Sequence, residues 1–153
     1  MLFLDEPTTG LDPQSRRQLW DVVLGFKSRG RTVLLTTHYM DEAERLCDRV
    51  AVVDNGKVIA LGTPQELIAG LGGHVILELA TQKPLLAEEL AGLPAVRGTR
   101  RSADGVALTV EQLHVALPAI LDRVEPLGLT RLSTHNATLE DVFVHLTGRH
   151  LRE

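Results

Sequence analysis

The chain has 153 residues, a formal net charge of -4, and 44% hydrophobic against 24% charged residues, which is the balance of a folded, globular protein rather than a disordered one. That charge gives no basic footprint, so no nucleic-acid partner is expected. No apolar run approaches the about 18 residues of a membrane span, and a single cysteine, Cys47, rules out an intrachain disulfide and fits a reducing cytosol.

In chain order, "MLFLD" is an unbroken apolar run of strand length, the pattern of a strand covered on both faces. Asp12 before Pro13 reads as an N-cap with proline at the first helical position. Leu19, Val22, Val23 and Phe26 then fall at helical spacing, and Gly30 supplies the stop. "RTVLLTT" predicts a second buried strand and "MDEAERLC" a short amphipathic helix, with Cys47 as a small apolar filler. "DRVAVVDNGKVIALG" gives two β-rich runs around Asn55-Gly56, the strongest short hairpin signal. "TPQELIAG" opens a helix with a capping box, Thr63 to Glu66.

The glycines of "GLGGH" punctuate the chain, and a second unit is expected to begin there, giving segments 1–72 and 73–153. After them come a strand ("HVILELA"), a helix ("PLLAEELAGL"), and two strands turning at Asp104-Gly105. A helix follows in which Pro118 is a kink or a late start, then a strand "LTRLST" and a helix from Thr138 to Gly148. The order β-α-β-β-α-β-α predicts a ferredoxin-like α+β sandwich with one added helix.

Asp5 and Glu6 leave the first strand as adjacent carboxylates. Ligands of parallel α/β sheets sit at the carboxyl ends of strands, and neighbouring residues leaving a strand point apart. One acid can therefore hold the water shell of Mg²⁺ while the other orients a water for attack on a phosphate. A solvated acidic turn before Pro7 is the plain alternative. The second strand, "TVLLTTH", delivers His38 at its own C-terminal end, so in one sheet His38 and Glu6 would reach the same edge.

With these residues in view, the sequence resembles the ATP-binding (nucleotide-binding) subunit of an ABC transporter. "MLFLDEP" resembles its Walker B strand, "GLDP" its D-loop and "TTH" its switch histidine, the H-loop; the likeness runs over about residues 1 to 70. It implies an α/β fold, the C-terminal half of a P-loop NTPase (ABC ATPase) domain followed by the small ferredoxin-like domain. It implies ATP and Mg²⁺, with Asp5 serving the Mg²⁺ site, Glu6 polarising the attacking water, His38 contacting the γ-phosphate, and Asp12 coupling two ATP-binding subunits. It also implies a transmembrane permease as partner and a place on the cytoplasmic face of the membrane. "THNATLEDVFVHLTGR" resembles the close of bacterial ABC-2-type exporter ATPases, with Glu140 and Asp141 as helix-dipole acids.

The glycine-rich phosphate loop G-x-x-x-x-G-K-[ST], the glutamine loop and the "LSGGQ"-type motif do not occur in these residues. In the family they precede Walker B, so the expectation is a C-terminal portion unable to bind or hydrolyse ATP alone. A different class of function also fits: an interaction or regulatory module working through residues 73–153. The remaining histidines, His74, His114, His135, His145 and His150, show no metal-ligand spacing.

Overall fold

The computed structural model describes residues 1–102 and 104–148. Strand β1 (Leu2–Asp5) and strand β2 (Val33–Thr36) pair in parallel, from Leu2 opposite Val33 to Asp5 opposite Thr36. Helix α1 (Pro13–Ser28) is the crossover between them, started by Asp12 and Pro13 as the sequence predicts. Helix α2 (Met40–Leu46) follows β2.

Leu4, Val33 and Leu35 pack against Trp20, Val23 and Leu46, so one face of β1–β2 is covered by α1 and α2. The Trp20 indole N–H donates to Glu42 Oε1 at 2.9 Å and joins the two helices inside this small core. Phe3 and Leu34, on the other face, are exposed. The two-sided burial expected of β1 is therefore corrected to one-sided, because the described residues provide a single helical layer.

Strands β3 (Val50–Asp54) and β4 (Lys57–Gly62) form the expected hairpin. Asn55 and Gly56 both have positive φ, 48° and 73°, the handedness a two-residue turn needs to match strand twist. Helix α3 (Pro64–Ala69) carries the capping box: Glu66 N–H donates to Thr63 Oγ1 and Thr63 N–H to Glu66 Oε2.

The rest of the chain builds a four-stranded antiparallel sheet from β5 (Val75–Thr81), β6 (Val96–Ser102), β7 (Gly105–Val110) and β8 (Leu129–Asn136), in the order β6-β7-β5-β8. Helix α4 (Leu113–Val124) covers one face, burying Leu77, Leu79, Val106 and Leu108 against Ala116, Ile120 and Val124. Pro118 lies inside α4 rather than at its start. Over residues 84–93 the expected helix shrinks to one 3-10 turn, Ala87–Leu90, hemmed by Pro84 and Pro94.

Helix α5 (Leu139–Thr147) packs on the opposite face of the sheet. Its Leu139 and Val142 share a buried cluster with Ile76 and Ala107 of the sheet, and with Ala43 and Leu71 from before residue 73. Hence α5 is wedged between the sheet and α2, and the Leu139 N–H donates to Glu44 Oε2 at 3.2 Å. No helix among the described residues is long and apolar enough to cross a membrane.

Candidate functional site

Parallel pairing sets the C-terminal ends of β1 and β2 side by side, and the residues leaving them meet. Glu6 N–H donates to the carbonyl of Thr36 at 3.0 Å and lies 3.2 Å from its hydroxyl oxygen. The Thr36 hydroxyl donates in turn to Asp5 Oδ1. Glu6 itself takes a φ of +43°, an uncommon backbone state for a residue with a side chain. That left-handed step comes directly after Asp5, the last residue of β1. His38 Nδ1 stands 3.2 Å from Glu6 Oε1, and the Thr9 hydroxyl donates to Glu6 Oε2 at 3.2 Å.

Both members of the Glu6–His38 pair are open to solvent, with half of the Glu6 side chain and over a third of His38 accessible. The imidazole rests on Tyr39, ring centres 4.2 Å apart, and the Arg16 guanidinium lies 4.2 Å from the far ring partner, Tyr39. An aromatic and a cation thus limit how far the imidazole can turn. Thr36 and Thr9 are additions that the strand pattern alone does not name. The signal for Thr36 was its register: it lies opposite Asp5.

Asp12 stands apart from the pair. Its Oδ1 accepts from the N–H groups of Gln14 and Ser15, at 2.9 and 3.1 Å, and its Oδ2 from the Ser15 hydroxyl. The Ser15 hydroxyl bond foremost, then the backbone bonds of the first turn, hold the Asp12 carboxyl below its ordinary value. The turn between Glu6 and Asp12 is pinned by Thr9 N–H to Glu6 O and Leu11 N–H to Thr8 O.

Asp5, Thr36 and Glu6 offer oxygen donors only. Among the described residues no group of three or more His, Cys, Asp or Glu side chains is placed to hold a metal ion unaided. This donor set fits a hydrated Mg²⁺, which binds through one or two carboxylates with substrate oxygens completing the shell, and does not fit zinc. His74, His114, His135 and His145 take part in no metal cluster, and His150 lies outside the described residues.

Another polar constellation sits on the sheet's α5 side. Asp141, almost fully buried, accepts from Arg100 Nη2 at 2.6 Å and from Thr138 N–H and Oγ1 at 3.1 and 3.0 Å. His135 Nε2 is 3.2 Å from its second oxygen. Asp141 is therefore more than a helix-dipole acid, since it locks α5 to β6 and β8, whereas Glu140 points to solvent.

Comparison with known proteins finds relatives among ABC transporter ATP-binding subunits. No protein-family profile matches the chain. Nod factor export ATP-binding protein I of Paraburkholderia xenovorans is 40% identical over 157 residues, covering all of this chain and 49% of that protein. The daunorubicin/doxorubicin resistance ATP-binding protein DrrA of Streptomyces peucetius is 44% identical over 97% of this chain and 46% of its own length. This chain is a homologue of ABC transporter ATP-binding subunits. It spans about half the length of the curated relatives it matches. A solved ABC transporter ATP binding subunit is 38% identical over 46% of this chain and 30% of that one; its TM-score, 0.42, is too low to bear on the fold. In this ABC ATP-binding homologue Asp5, Glu6 and His38 lie at the carboxyl ends of β1 and β2, and Asp12 caps α1 apart from them.

Proposed function

We propose that these residues are the hydrolytic edge of an ABC exporter's ATP-binding subunit, carrying Walker B in β1, the D-loop after it and the H-loop after β2. The observation that supports this most is the 3.2 Å approach of His38 Nδ1 to Glu6 Oε1, at the carboxyl ends of two parallel strands. In this reading Glu6 orients the attacking water through its carboxylate, positioned by Thr9 and by its own left-handed backbone. His38, with Nδ1 turned to Glu6, keeps Nε2 for an oxygen of the γ-phosphate. Asp5, steadied by the Thr36 hydroxyl, holds the hydration shell of Mg²⁺. When bound, Mg²⁺ supplies neutralisation of the charge on the β- and γ-phosphate oxygens. Asp12 anchors the turn 7–11 so that it can face a second ATP-binding subunit. Export is completed by a transmembrane permease on which the subunit sits, at the cytoplasmic face of the membrane.

The same reading assigns residues 1–72 to the ATPase domain and 73–153 to a ferredoxin-like extension, whose order β8-β5-β7-β6 and antiparallel pairing suit that fold. It also makes the 153-residue chain inactive alone. Triphosphate is gripped by the backbone N–H groups and lysine of a glycine-rich loop, and no such loop occurs in this sequence. Two carboxylates facing a polyanion without that cradle repel it.

The test is a chimera in which these residues replace the matching segment of the Paraburkholderia export protein. Mg²⁺-dependent ATP hydrolysis should survive the exchange, and Glu6→Gln and His38→Ala should each lower turnover by about 100-fold or more. Turnover unchanged by Glu6→Gln would overturn the assignment.

A further inference from the structure

We infer that Arg16 and Tyr39 are positioning residues for His38, a run of contacts from guanidinium to phenol ring to imidazole that holds the imidazole with Nδ1 toward Glu6. The chemistry this serves rests on the proposed function; the contacts themselves rest on geometry. Tyr39 touches both of the others: Arg16 Cζ lies 4.2 Å from its ring centre, and the His38 ring centre lies 4.2 Å away at an interplanar angle of 39°. The imidazole needs such a support. The last torsion of a histidine side chain is broad and roughly two-fold, so the ring does not choose its own orientation. Half a turn about that bond would put a carbon where Nδ1 now stands 3.2 Å from Glu6 Oε1. The Glu6 contact does not fix the ring unaided, because both partners are open to solvent and exposed ion pairs are weak.

Two further observations set these contacts apart from ordinary packing. Successive side chains of an extended strand point to opposite faces, so rings one residue apart meet only because the chain has left β2, which ends at Thr36. There the Tyr39 backbone is fixed, its N–H donating to the Thr37 hydroxyl at 3.0 Å and its carbonyl accepting from Ala43 N–H at 3.2 Å. Arg16, for its part, is placed against its type. It lies one turn before Trp20 on the inward stripe of α1, where periodicity favours an apolar residue, while Arg17 beside it is exposed. Its Nε is buried without a hydrogen-bond partner, and among the described residues it enters no ion pair, although Glu42 also has a buried oxygen without a partner. The Tyr39 ring is what the structure offers that cation. Joining α1 to α2 does not require it, since the Trp20–Glu42 bond and the cluster of Trp20, Val23 and Leu46 already do so.

NMR of the full chain with isotope-labelled histidine reads the imidazole directly. In the parent, the His38 ring protons should lie upfield of those of exposed His114, displaced by the Tyr39 ring. Tyr39→Leu should return them to the His114 position and Tyr39→Phe should keep them upfield. Arg16→Met should move them part of the way, and Arg16→Lys, which gives the ring a cation again, should recover part of that change. A His38 signal at the His114 position in the parent, which needs no variant to fold, or one unmoved by Tyr39→Leu, would overturn the inference. In the chimera with the Paraburkholderia protein, Tyr39→Leu and Arg16→Met should each lower kcat by about 10-fold with KM for ATP unchanged. Neither should cost anything further in a His38→Ala background, because each acts through that ring. Losses that add in full to the His38→Ala loss would show that the contacts serve the fold and not the imidazole, and would also overturn the inference. Turnover untouched by Glu6→Gln and His38→Ala would instead bring down the hydrolytic reading, with the NMR shifts still deciding whether Arg16 and Tyr39 hold the ring.

Discussion

Asp141→Ala should be among the most damaging single substitutions in the chain. The carboxylate is almost fully buried and accepts from Arg100, Thr138 N–H and the Thr138 hydroxyl, with His135 beside it. Removing it leaves the Arg100 guanidinium, about three-quarters buried, without its anion, and frees the first turn of α5 from its cap. Hydrogen bonds to a charged group are each worth about 1.5–3 kcal/mol, and breaking a buried ion pair from one side costs about 3–5 kcal/mol. These terms overlap, so the expected loss is about 4 kcal/mol, which lowers Tm by roughly 8–16 °C for a chain of this size. Urea unfolding followed by far-UV circular dichroism measures it. The companion pair Arg100→Met with Asp141→Leu removes both charges and should recover most of the loss, because packed apolar groups replace a buried ion pair at little cost. A loss below about 1 kcal/mol for Asp141→Ala would mean that the network behaves as a solvated surface pair and that the reasoning is wrong.

Acid should loosen two helix starts together. Hydrogen bonds from Ser15 and Gln14 hold Asp12 below its ordinary value, and bonds from Thr63 do the same for Glu66. A carboxyl lowered in the folded state adds stability above its unfolded pKa and forfeits it as pH falls through the folded one. Stability should therefore fall more steeply from pH 5 downward in the parent chain than in an Asp12→Asn, Glu66→Gln variant, as urea titrations at stepped pH will read. Gly105→Ala should destabilise by about 3 kcal/mol, since a Cβ there would stand 2.1 Å from the Leu79 carbonyl oxygen; thermal unfolding measures it. Trp20→Phe should cost about 2 kcal/mol by stripping buried Glu42 of the indole N–H that donates to it, and circular dichroism is the probe because the only tryptophan is gone.

What could be read from the sequence was local chemistry. Asp12-Pro13 and Thr63-Pro64-Gln65-Glu66 announce their helices because a cap needs only residues within one turn, and Asn55-Gly56 announces its hairpin because the turn itself demands positive φ. The meeting of Glu6 and His38 was also legible, since two apolar strands joined by one helix leave little choice but parallel pairing with their carboxyl ends together. Distant partners were not. Arg100 and Asp141 are 41 residues apart, Thr36 and Asp5 31, and neither separation carries a periodic signal. The 3-10 turn at Ala87–Leu90 was missed because an apolar spacing suggests a helix wherever length allows, whereas Pro84, Gly92 and Pro94 leave room for one turn. The instructive miss is β1. Its apolar run reads as two-sided burial, yet among the described residues only the face of Leu4 is covered, while Phe3 and Asp5 are exposed. An apolar run of strand length fixes the element, because the strand needs only its own residues to be extended and apolar, but how many of its faces are covered depends on distant elements, and at Phe3 and Leu34 the described residues bring none.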